Sequence, residues 1–176
     1  TRMKELGLTA NRKICFIACS IDPVITDGIL FLISRVIPRF QEINFLIKGH
    51  PTVSISNLID KYNIGNCDNA ETTLQPISDI LPLSDYFLSS SSSTSLEALE
   101  YGVTQANLDV GGLPNANPLH LLPGLIKDIE TEEDLVKFLQ NPEMFKIEKE
   151  QAKKFFGNIG IDPIKVFTDA VTSNFH

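Results

Sequence analysis

Seven consecutive hydroxyl side chains follow a short apolar strand in the middle of the chain. The run comprises Ser89, Ser90, Ser91, Ser92, Ser93, Thr94 and Ser95. Apolar residues 86–88 precede it, and a short helix containing residues 96–100 follows it. The first turn of a helix has unpaired N–H groups and a partial positive charge, and nearby hydroxyls add further donors. This stretch therefore predicts a binding site for an anion such as phosphate.

Two simpler interpretations account for less of this stretch. A helix cap at Thr94 or Ser95 explains one hydroxyl but not seven in a row. A flexible serine-rich linker does not fit the apolar strand and the Leu/Ala-containing helix that adjoin the run on its two sides. An anion site explains the whole run.

A second polar turn directly follows another apolar strand, and its sequence is Lys48-Gly49-His50-Pro51. A histidine at a strand end can donate a hydrogen bond to a phosphate, and Gly49 would let the backbone approach a ligand. Pro51 fixes the direction of the chain and removes a competing donor. By itself His50 would be an ordinary turn histidine, but together with a hydroxyl loop it becomes a candidate catalytic residue.

Other candidate ligand-binding residues also follow predicted strands. Ser20 comes after the first strand, and Gly111 and Gly112 come after a later one. Glu97 lies on the first turn of the helix after the serines, where its carboxylate either binds ribose hydroxyls or simply complements the helix dipole. Because ligands of open parallel sheets bind at the carboxyl ends of the strands, these residues are candidates for one shared site.

Several other kinds of site have no motif in this sequence. There is no GxxxxGK[ST] phosphate loop and no GxGxxG dinucleotide fingerprint. His120 and His176 have no evident Ser or Cys partner for a nucleophilic triad, and His120 is interpreted as structural. No clustered set of His, Cys and Asp predicts a metal site, so we expect neither a metal nor a cofactor.

Composition is typical of a globular protein without a basic surface. The 176 residues carry a formal net charge of −7, and 43% of them are hydrophobic. A general nucleic-acid-binding protein needs a basic face, so nucleic acid is not an expected partner. No apolar run approaches the roughly 18 residues of a membrane span. The three cysteines lack metal-binding spacing and indicate free thiols in a reducing cytoplasm.

Apolar runs alternate with helical patterns along the chain. Strands are predicted at 13–18, 44–48, 66–73, 86–88, 105–110 and 125–129. Further helices are predicted at 24–40, 54–62 (capped by Ser54 or Ser56), 76–81, 131–139 (with Thr131 and Asp134 as a capping box), 143–156 and 163–173. This alternation predicts an α/β fold: a Rossmann-like open parallel sheet with helices on both faces.

In combination, the two polar turns resemble motifs of a known enzyme class. KGHP at 48–51 and DYFLSSSSSTSLEALEYGV at 85–103 look like the C-terminal, donor-binding half of GT-B fold glycosyltransferases. The resemblance is to bacterial sialyltransferases, with their His-Pro and Ser-Ser motifs, and to polyglycerol-phosphate and capsule polymerases. It covers residues 13–140, and the serine run is longer than the usual pair.

The resemblance implies a role for each matching residue. His50 would contact the nucleotide or its phosphate, and the serines with Thr94 would bind phosphate. Glu97 would hold the ribose, and Ser20 would touch the diphosphate. The chain would then be the donor-binding domain of a glycosyltransferase in surface polysaccharide synthesis. Its donor would be a CMP-, CDP- or UDP-activated sugar, and its acceptor a saccharide or a lipid-linked molecule.

The same resemblance implies a domain organisation. Residues 1–12 would be a linker from an N-terminal domain that the chain lacks, 13–140 the nucleotide-sugar-binding domain, and 141–176 C-terminal helices packed on it. Because the catalytic base of this fold usually lies in the N-terminal domain, the isolated domain is expected to be inactive. We expect it in the cytoplasm or at the inner face of the membrane, with peripheral contact through the missing half. The alternatives are a sugar-nucleotide 2-epimerase and a non-catalytic phosphosugar-binding module.

Overall fold

The computed structural model describes residues 5–111, 117–121, 124–148 and 151 of the chain. Six parallel strands form one open sheet in the order β3-β2-β1-β4-β5-β6. The strands are β1 Lys13–Ala18, β2 Ile43–Lys48, β3 Ala70–Thr72, β4 Tyr86–Ser89, β5 Thr104–Leu108 and β6 Asp128–Ile129. The predicted α/β class and the Rossmann-like parallel sheet are confirmed.

Five α-helices and five 3-10 turns lie among the described residues, and most of them are placed between strands. The α-helices are α1 Pro23–Ser34, α2 Ser56–Lys61, α3 Ile77–Ile80, α4 Thr94–Glu100 and α5 Glu132–Gln140. The 3-10 turns are Ile37–Arg39, Ile64–Asn66, Leu81–Leu83, Pro118–Leu121 and Pro142–Phe145. Because parallel strands need a crossover between them, most of the helices are these connections.

The helices cover both faces of the sheet, because successive side chains of a strand point to opposite sides. Cys15 and Ile17 of β1 point to the face covered by α1, α2 and α5, here called face one. Phe16 points to the opposite face, face two, which α3 and α4 cover. Leu6 and Leu8, within the predicted linker, also pack on face two. The buried strands are apolar on both sides, as in other parallel sheets.

Helix α1 is shorter than the predicted helix at 24–40, because it ends at Ser34. Proline has no N–H group, and its ring clashes with the carbonyl four residues earlier, which here is that of Ser34. Pro38 therefore stops the α-helix, and the chain continues as the 3-10 turn Ile37–Arg39.

The predicted cap of α2 is wrong. Neither Ser54 nor Ser56 caps this helix, because Ile55 occupies the N-cap position and makes no side-chain hydrogen bond there. The two serine hydroxyls instead lie 3.5 Å from each other. In contrast, the predicted cap of α5 is confirmed, since Thr131 Oγ1 accepts a hydrogen bond from the backbone N–H of Asp134.

The helix predicted at 143–156 is wrong over its first residues. Pro142–Phe145 form a 3-10 turn, and residues 146–148 have no regular structure. The Lys127 ammonium donates a hydrogen bond to the backbone carbonyl of Met144, and the Phe145 ring packs edge-on against Phe138 at 5.0 Å. These contacts hold the chain against the sheet and α5 rather than in a helix. The helix predicted at 163–173 lies outside the described residues.

Candidate functional site

The carboxyl ends of four strands are in register at one edge of the sheet. Ala18, at the end of β1, stands opposite Lys48 of β2 on one side and Ser89 of β4 on the other. Ser89 in turn stands opposite Asn107 of β5. Since neighbouring strands lie about 4.8 Å apart, about 10 Å separates the ends of β2 and β4. The loops that contain His50 and the serine run therefore start at one edge, on the two sides of β1.

This edge contains the point at which the connections of the sheet change sides. The loop after β1 leads to α1 on face one, whereas the loop after β4 leads to α4 on face two. In open α/β sheets, ligands generally bind in the crevice between two loops that diverge in this way. The predicted residues 20, 48–51 and 89–95 belong to the loops around it.

The hydroxyl run divides into accessible and buried members. Ser91 and Ser92 are half-buried, and Ser93 is exposed. The remaining side chains are buried: Ser89, Ser90, Thr94 and Ser95. The Ser89 hydroxyl has no hydrogen-bond partner among the described residues. A ligand at the edge of the sheet can therefore reach the middle of the run but not all seven hydroxyls.

The amides at the start of α4 are already used within the turn. The Thr94 N–H donates to Ser92 Oγ at 3.2 Å, and the Ser95 N–H donates to the Ser92 carbonyl at 3.3 Å. The Leu96 N–H donates to the carbonyl of Ser93. Because α4 has only seven residues, its dipole is also small. The hydroxyl groups, rather than these amides, are the donors that this loop can offer to an anion.

The imidazole of His50 is oriented by its own turn. Nδ1 lies 2.8 Å from the Thr52 hydroxyl oxygen and 3.3 Å from the Thr52 backbone nitrogen, which donates to it. A ring whose Nδ1 accepts this hydrogen bond is the tautomer that carries the proton of its neutral form on Nε2. His50 is half-buried, and Nε2–H is the donor that it can offer to a ligand.

The neighbours of His50 have structural roles in the same turn. The ammonium of Lys48 donates a hydrogen bond to the backbone carbonyl of Leu74 at 3.2 Å. A Cβ atom at Gly49 would lie 3.2 Å from both the Ile55 side chain and the Val53 carbonyl. Gly49 thus has a packing reason to lack a side chain, independent of any ligand. Pro51 is exposed.

The loop after β1 is organised by a helix cap. Ser20 Oγ accepts a hydrogen bond from the Asp22 N–H at 3.1 Å, and the Ser20 carbonyl accepts one from the Thr26 hydroxyl. The carboxylate of Asp22 caps α1 by accepting from the Val24 N–H at 2.8 Å. The Ser20 hydroxyl is an acceptor in this turn, so its own hydrogen can be donated to another group. The negative charge of the Asp22 carboxylate, however, lies in the same loop and would repel an anion.

The remaining candidates are more peripheral. Glu97 is exposed on the first turn of α4. Gly111 has a φ of +83°, a conformation that favours glycine, in the loop after β5. Gly112 lies outside the described residues.

Cys19, next to Ser20, is not a nucleophile of this site. Burial raises the pKa of the Cys19 thiol to about 12, and burial raises the pKa of Cys15 as well. Since the thiolate is the reactive form, a buried thiol with a pKa this high holds far less thiolate at neutral pH than an ordinary cysteine does.

A network of polar side chains around buried Asn107 lies beneath the serine loop, residues 90–95, and was not predicted. Asn107 Oδ1 accepts a hydrogen bond from the Ser91 N–H, and its Nδ2 donates to Asp128 Oδ1 at 2.7 Å. His120 Nε2 lies 3.2 Å from the same carboxylate oxygen. The sequence signal was available, because Gln105 and Asn107 alternate with apolar residues in a strand that is otherwise buried. A buried strand rarely includes amide side chains unless they have partners.

The described part of the chain contains neither a metal-binding cluster nor a membrane-spanning helix. Among those residues, no group of three or more His, Cys, Asp or Glu side chains could hold a metal ion. No helix among them is both long enough and apolar enough to span a bilayer.

Comparison with known proteins establishes the fold. No protein-family model and no curated protein matches the chain in sequence. The UDP-GlcNAc 2-epimerase from Neisseria meningitidis, solved with UDP-GlcNAc, is 15% identical with a TM-score of 0.65, covering 98% of this chain and 50% of the epimerase. The wall teichoic acid polymerase TagF, solved after a soak with CDPG, is 16% identical with a TM-score of 0.65, covering 89% of this chain and 39% of TagF.

The pneumococcal O-GlcNAc transferase GtfA, solved with UDP and GlcNAc, is 14% identical with a TM-score of 0.63, covering 97% of this chain and 38% of GtfA. At these identities the likeness shows the fold alone. The chain has the Rossmann-like α/β fold of a domain found in GT-B glycosyltransferases and UDP-GlcNAc 2-epimerases. It spans between 38% and 50% of the length of the three proteins.

Proposed function

We propose that the crevice at the carboxyl edge of the sheet binds a nucleotide-activated sugar, and that the chain is the donor-binding domain of a glycosyltransferase. The observation that carries this proposal is that two polar loops begin beside the switch point. Lys48 and Ser89 are in register with the end of the same strand, so the loops with His50 and Ser91 begin on the two sides of β1 at one edge. The structures that share this fold include proteins solved with UDP or with UDP-GlcNAc.

In this proposal, neutral donors stabilise the charge of the donor's phosphates. The hydroxyls of Ser91, Ser92 and Ser93 are the accessible members of the serine loop, and the Ser20 hydroxyl adds a donor from the loop after β1. Preorganised donors of this kind stabilise charge that develops on a leaving phosphate. His50 donates a hydrogen bond or a proton to the same phosphate through Nε2–H.

Other parts of the proposal rest on the motif resemblance. Glu97 holds the ribose, and the donor carries CMP, CDP or UDP. The acceptor is a saccharide or a lipid-linked molecule of a surface polysaccharide, reached in the cytoplasm or at the inner face of the membrane. The catalytic base comes from a second domain, in agreement with the partial coverage of the solved structures.

A second candidate function is a sugar-nucleotide 2-epimerase domain. The N. meningitidis UDP-GlcNAc 2-epimerase, whose structure aligns with 98% of this chain, favours it. An epimerase converts its sugar nucleotide without an acceptor, whereas a transferase releases the nucleotide only when a sugar is transferred. Product analysis of a protein that contains both domains, with and without an acceptor, separates the two.

The test of nucleotide binding is a thermal-shift screen with CMP, CDP, UDP, GDP and TDP. A ligand at 100 times its Kd stabilises the folded state by about 2.7 kcal/mol. Each kcal/mol raises the Tm of a domain of this size by roughly 2–4 °C. We expect at least one pyrimidine nucleotide to raise the Tm by several degrees.

Variants then test whether the nucleotide binds at His50 and Ser91. His50→Ala and Ser91→Ala should abolish the shift and leave the Tm of the unliganded protein nearly unchanged. Ser34→Ala is the matched control, because Ser34 lies at the opposite end of α1 and its hydroxyl donates only to the Phe31 carbonyl. No shift with any nucleotide, or the same affinity in the His50 and Ser91 variants by calorimetry, would overturn the proposal.

A further inference from the structure

We propose that Asn107 is a positioning residue of the serine loop: its buried amide holds Ser91 in a left-handed conformation and so directs the accessible hydroxyls of the loop toward the crevice. This inference rests on the proposed function, because it concerns donors that a phosphate would meet. Asn107 itself is only 1% exposed, so its proposed role is to position the loop rather than to contact a ligand.

The first observation is the backbone of Ser91. Its φ is +50°, and it is one of only three residues other than glycine with a positive φ in the described chain. The left-handed region crowds Cβ against the backbone and is disfavoured for serine. Such conformations persist only where surrounding contacts enforce them, and they occur preferentially at functional sites.

The second observation is the contact that enforces this turn. The Ser91 N–H donates to Asn107 Oδ1 at 3.2 Å. Asn107 is in register with Ser89, so its side chain lies under the point at which the loop leaves the sheet. The loop is thus held from below by a side chain of the neighbouring strand.

The third observation is that Asn107 is itself fixed. Its Nδ2 donates to Asp128 Oδ1 at 2.7 Å, which determines which end of the amide faces Ser91. Asn117 Nδ2 donates to Ser95 Oγ at 2.9 Å and approaches Asn107 Oδ1 at 3.4 Å. Ser91 and Ser95, two residues of the serine loop, are therefore connected through the buried amides of Asn107 and Asn117.

The chemistry of this position requires an amide. An acceptor must face Ser91, and a donor must face the carboxylate of Asp128. An aspartate at position 107 would supply the acceptor but would place two carboxylates 2.7 Å apart, with added negative charge beneath a proposed phosphate site. The amide of Asn107 therefore holds the loop in its conformation and adds no negative charge beneath it.

A double-mutant cycle separates positioning from general stability. Glycine adopts positive φ without strain, so a Ser91→Gly background no longer needs Asn107 to hold the turn. With UDP and CDP as probes in calorimetry, Asn107→Ala should weaken binding at least tenfold in the wild-type background. Because Ser91→Gly also removes a hydroxyl of the proposed site, the two backgrounds are compared by NMR: Asn107→Ala should shift the amide resonances of Ser92 and Ser93 in the wild-type background and change them little in the Ser91→Gly background. Equal changes in the two backgrounds would refute positioning. Asn66→Ala, an exposed asparagine before β3 at the opposite edge, is the control and should bind as the wild type does.

A second measurement on the folded wild type needs neither a stable Asn107 variant nor a ligand. NMR should give Ser91 a scalar coupling typical of positive φ and an amide that exchanges more slowly than that of exposed Ser93. A fast-exchanging Ser91 amide or a negative φ overturns the inference. If neither UDP nor CDP binds the wild type, the proposed nucleotide site fails, and this measurement alone decides whether Asn107 shapes the loop.

Discussion

The backbone N–H of Thr52 donates to Nδ1 of His50, and the Thr52 hydroxyl oxygen lies 2.8 Å from the same nitrogen. A turn of three residues thus favours the tautomer of His50 with the proton on Nε2. We expect nitrogen-15 NMR at pH 8 to show a protonated Nε2 and an unprotonated Nδ1. In Thr52→Val, which retains the amide but loses the hydroxyl, the population of the tautomer with the proton on Nδ1 should increase. A wild-type ring protonated mainly on Nδ1 would contradict this relationship.

The position of the proton predicts which replacements of His50 are tolerated. The amide nitrogen of glutamine reaches the position of Nε2, whereas that of asparagine reaches only the position of Nδ1. A hydrogen bond to a charged group contributes about 1.5–3 kcal/mol, or roughly 10- to 150-fold in affinity. Nucleotide affinity should therefore fall by at least that factor in His50→Ala and His50→Asn but by less in His50→Gln. Calorimetry that ranks the asparagine variant above the glutamine variant would contradict the assignment of Nε2 as the donor.

The carboxylate of Asp22 lies beside a proposed phosphate site and opposes it electrostatically. Asp22→Asn retains an oxygen to cap α1 but removes the charge. Since two unit charges 4 Å apart in water interact by about 1 kcal/mol, nucleotide affinity should rise by about two- to fivefold at low ionic strength. The gain should decrease with added salt. Asp68→Asn, an exposed residue before β3, should leave the affinity unchanged. If the wild type and Asp22→Asn bind the nucleotide with equal affinity at low salt, the phosphates do not bind near Asp22.

Phe87 supports the strand that leads into the serine loop. Its side chain is fully buried on face two, and its ring centroid lies 5.4 Å from that of Phe16. Phe87→Ala should lower the free energy of unfolding by about 3–5 kcal/mol, because it removes apolar contacts and leaves a cavity. Phe31→Ala is the control, since Phe31 is 50% exposed and should cost about 1 kcal/mol or less. Urea unfolding measures both, and similar losses in the two variants would contradict the packing argument.

The two buried thiols predict a loss of stability at alkaline pH. Burial raises the pKa of Cys15 and Cys19 above the ordinary value of 9.0. Above pH 9 the unfolded chain loses these protons while the native protein keeps them. The free energy of unfolding therefore falls as pH rises, by up to about 1.4 kcal/mol per pH unit for each thiol.

Urea titrations at pH 8, 9 and 10 measure this slope. The double variant Cys15→Ala/Cys19→Ala should show a shallower decrease than the wild type, whatever its stability at pH 8. Cys67→Ala should change the slope less, because Cys67 is only half-buried. An unchanged slope in the double variant would show that other groups cause the alkaline loss.

Local pattern was sufficient to predict most of the secondary structure. The apolar run of β1 was predicted with the same bounds as Lys13–Ala18, and the Thr131 cap of α5 was identified from residues three apart. The pattern overestimated α1, because helical periodicity continues to residue 37 while Pro38 limits the backbone before it. It also missed that Ile55, rather than a serine, occupies the N-cap position of α2.

The sequence by itself determined that a hydroxyl run and a His-Pro turn each follow a strand, because strand periodicity and turn residues are properties of neighbouring residues. The tertiary structure alone decided that β2 and β4 flank β1, which hydroxyls are buried, and that Asn107 meets Ser91. The reason is physical: strand order, register and burial depend on contacts between residues that are distant in sequence. No local periodicity encodes such contacts.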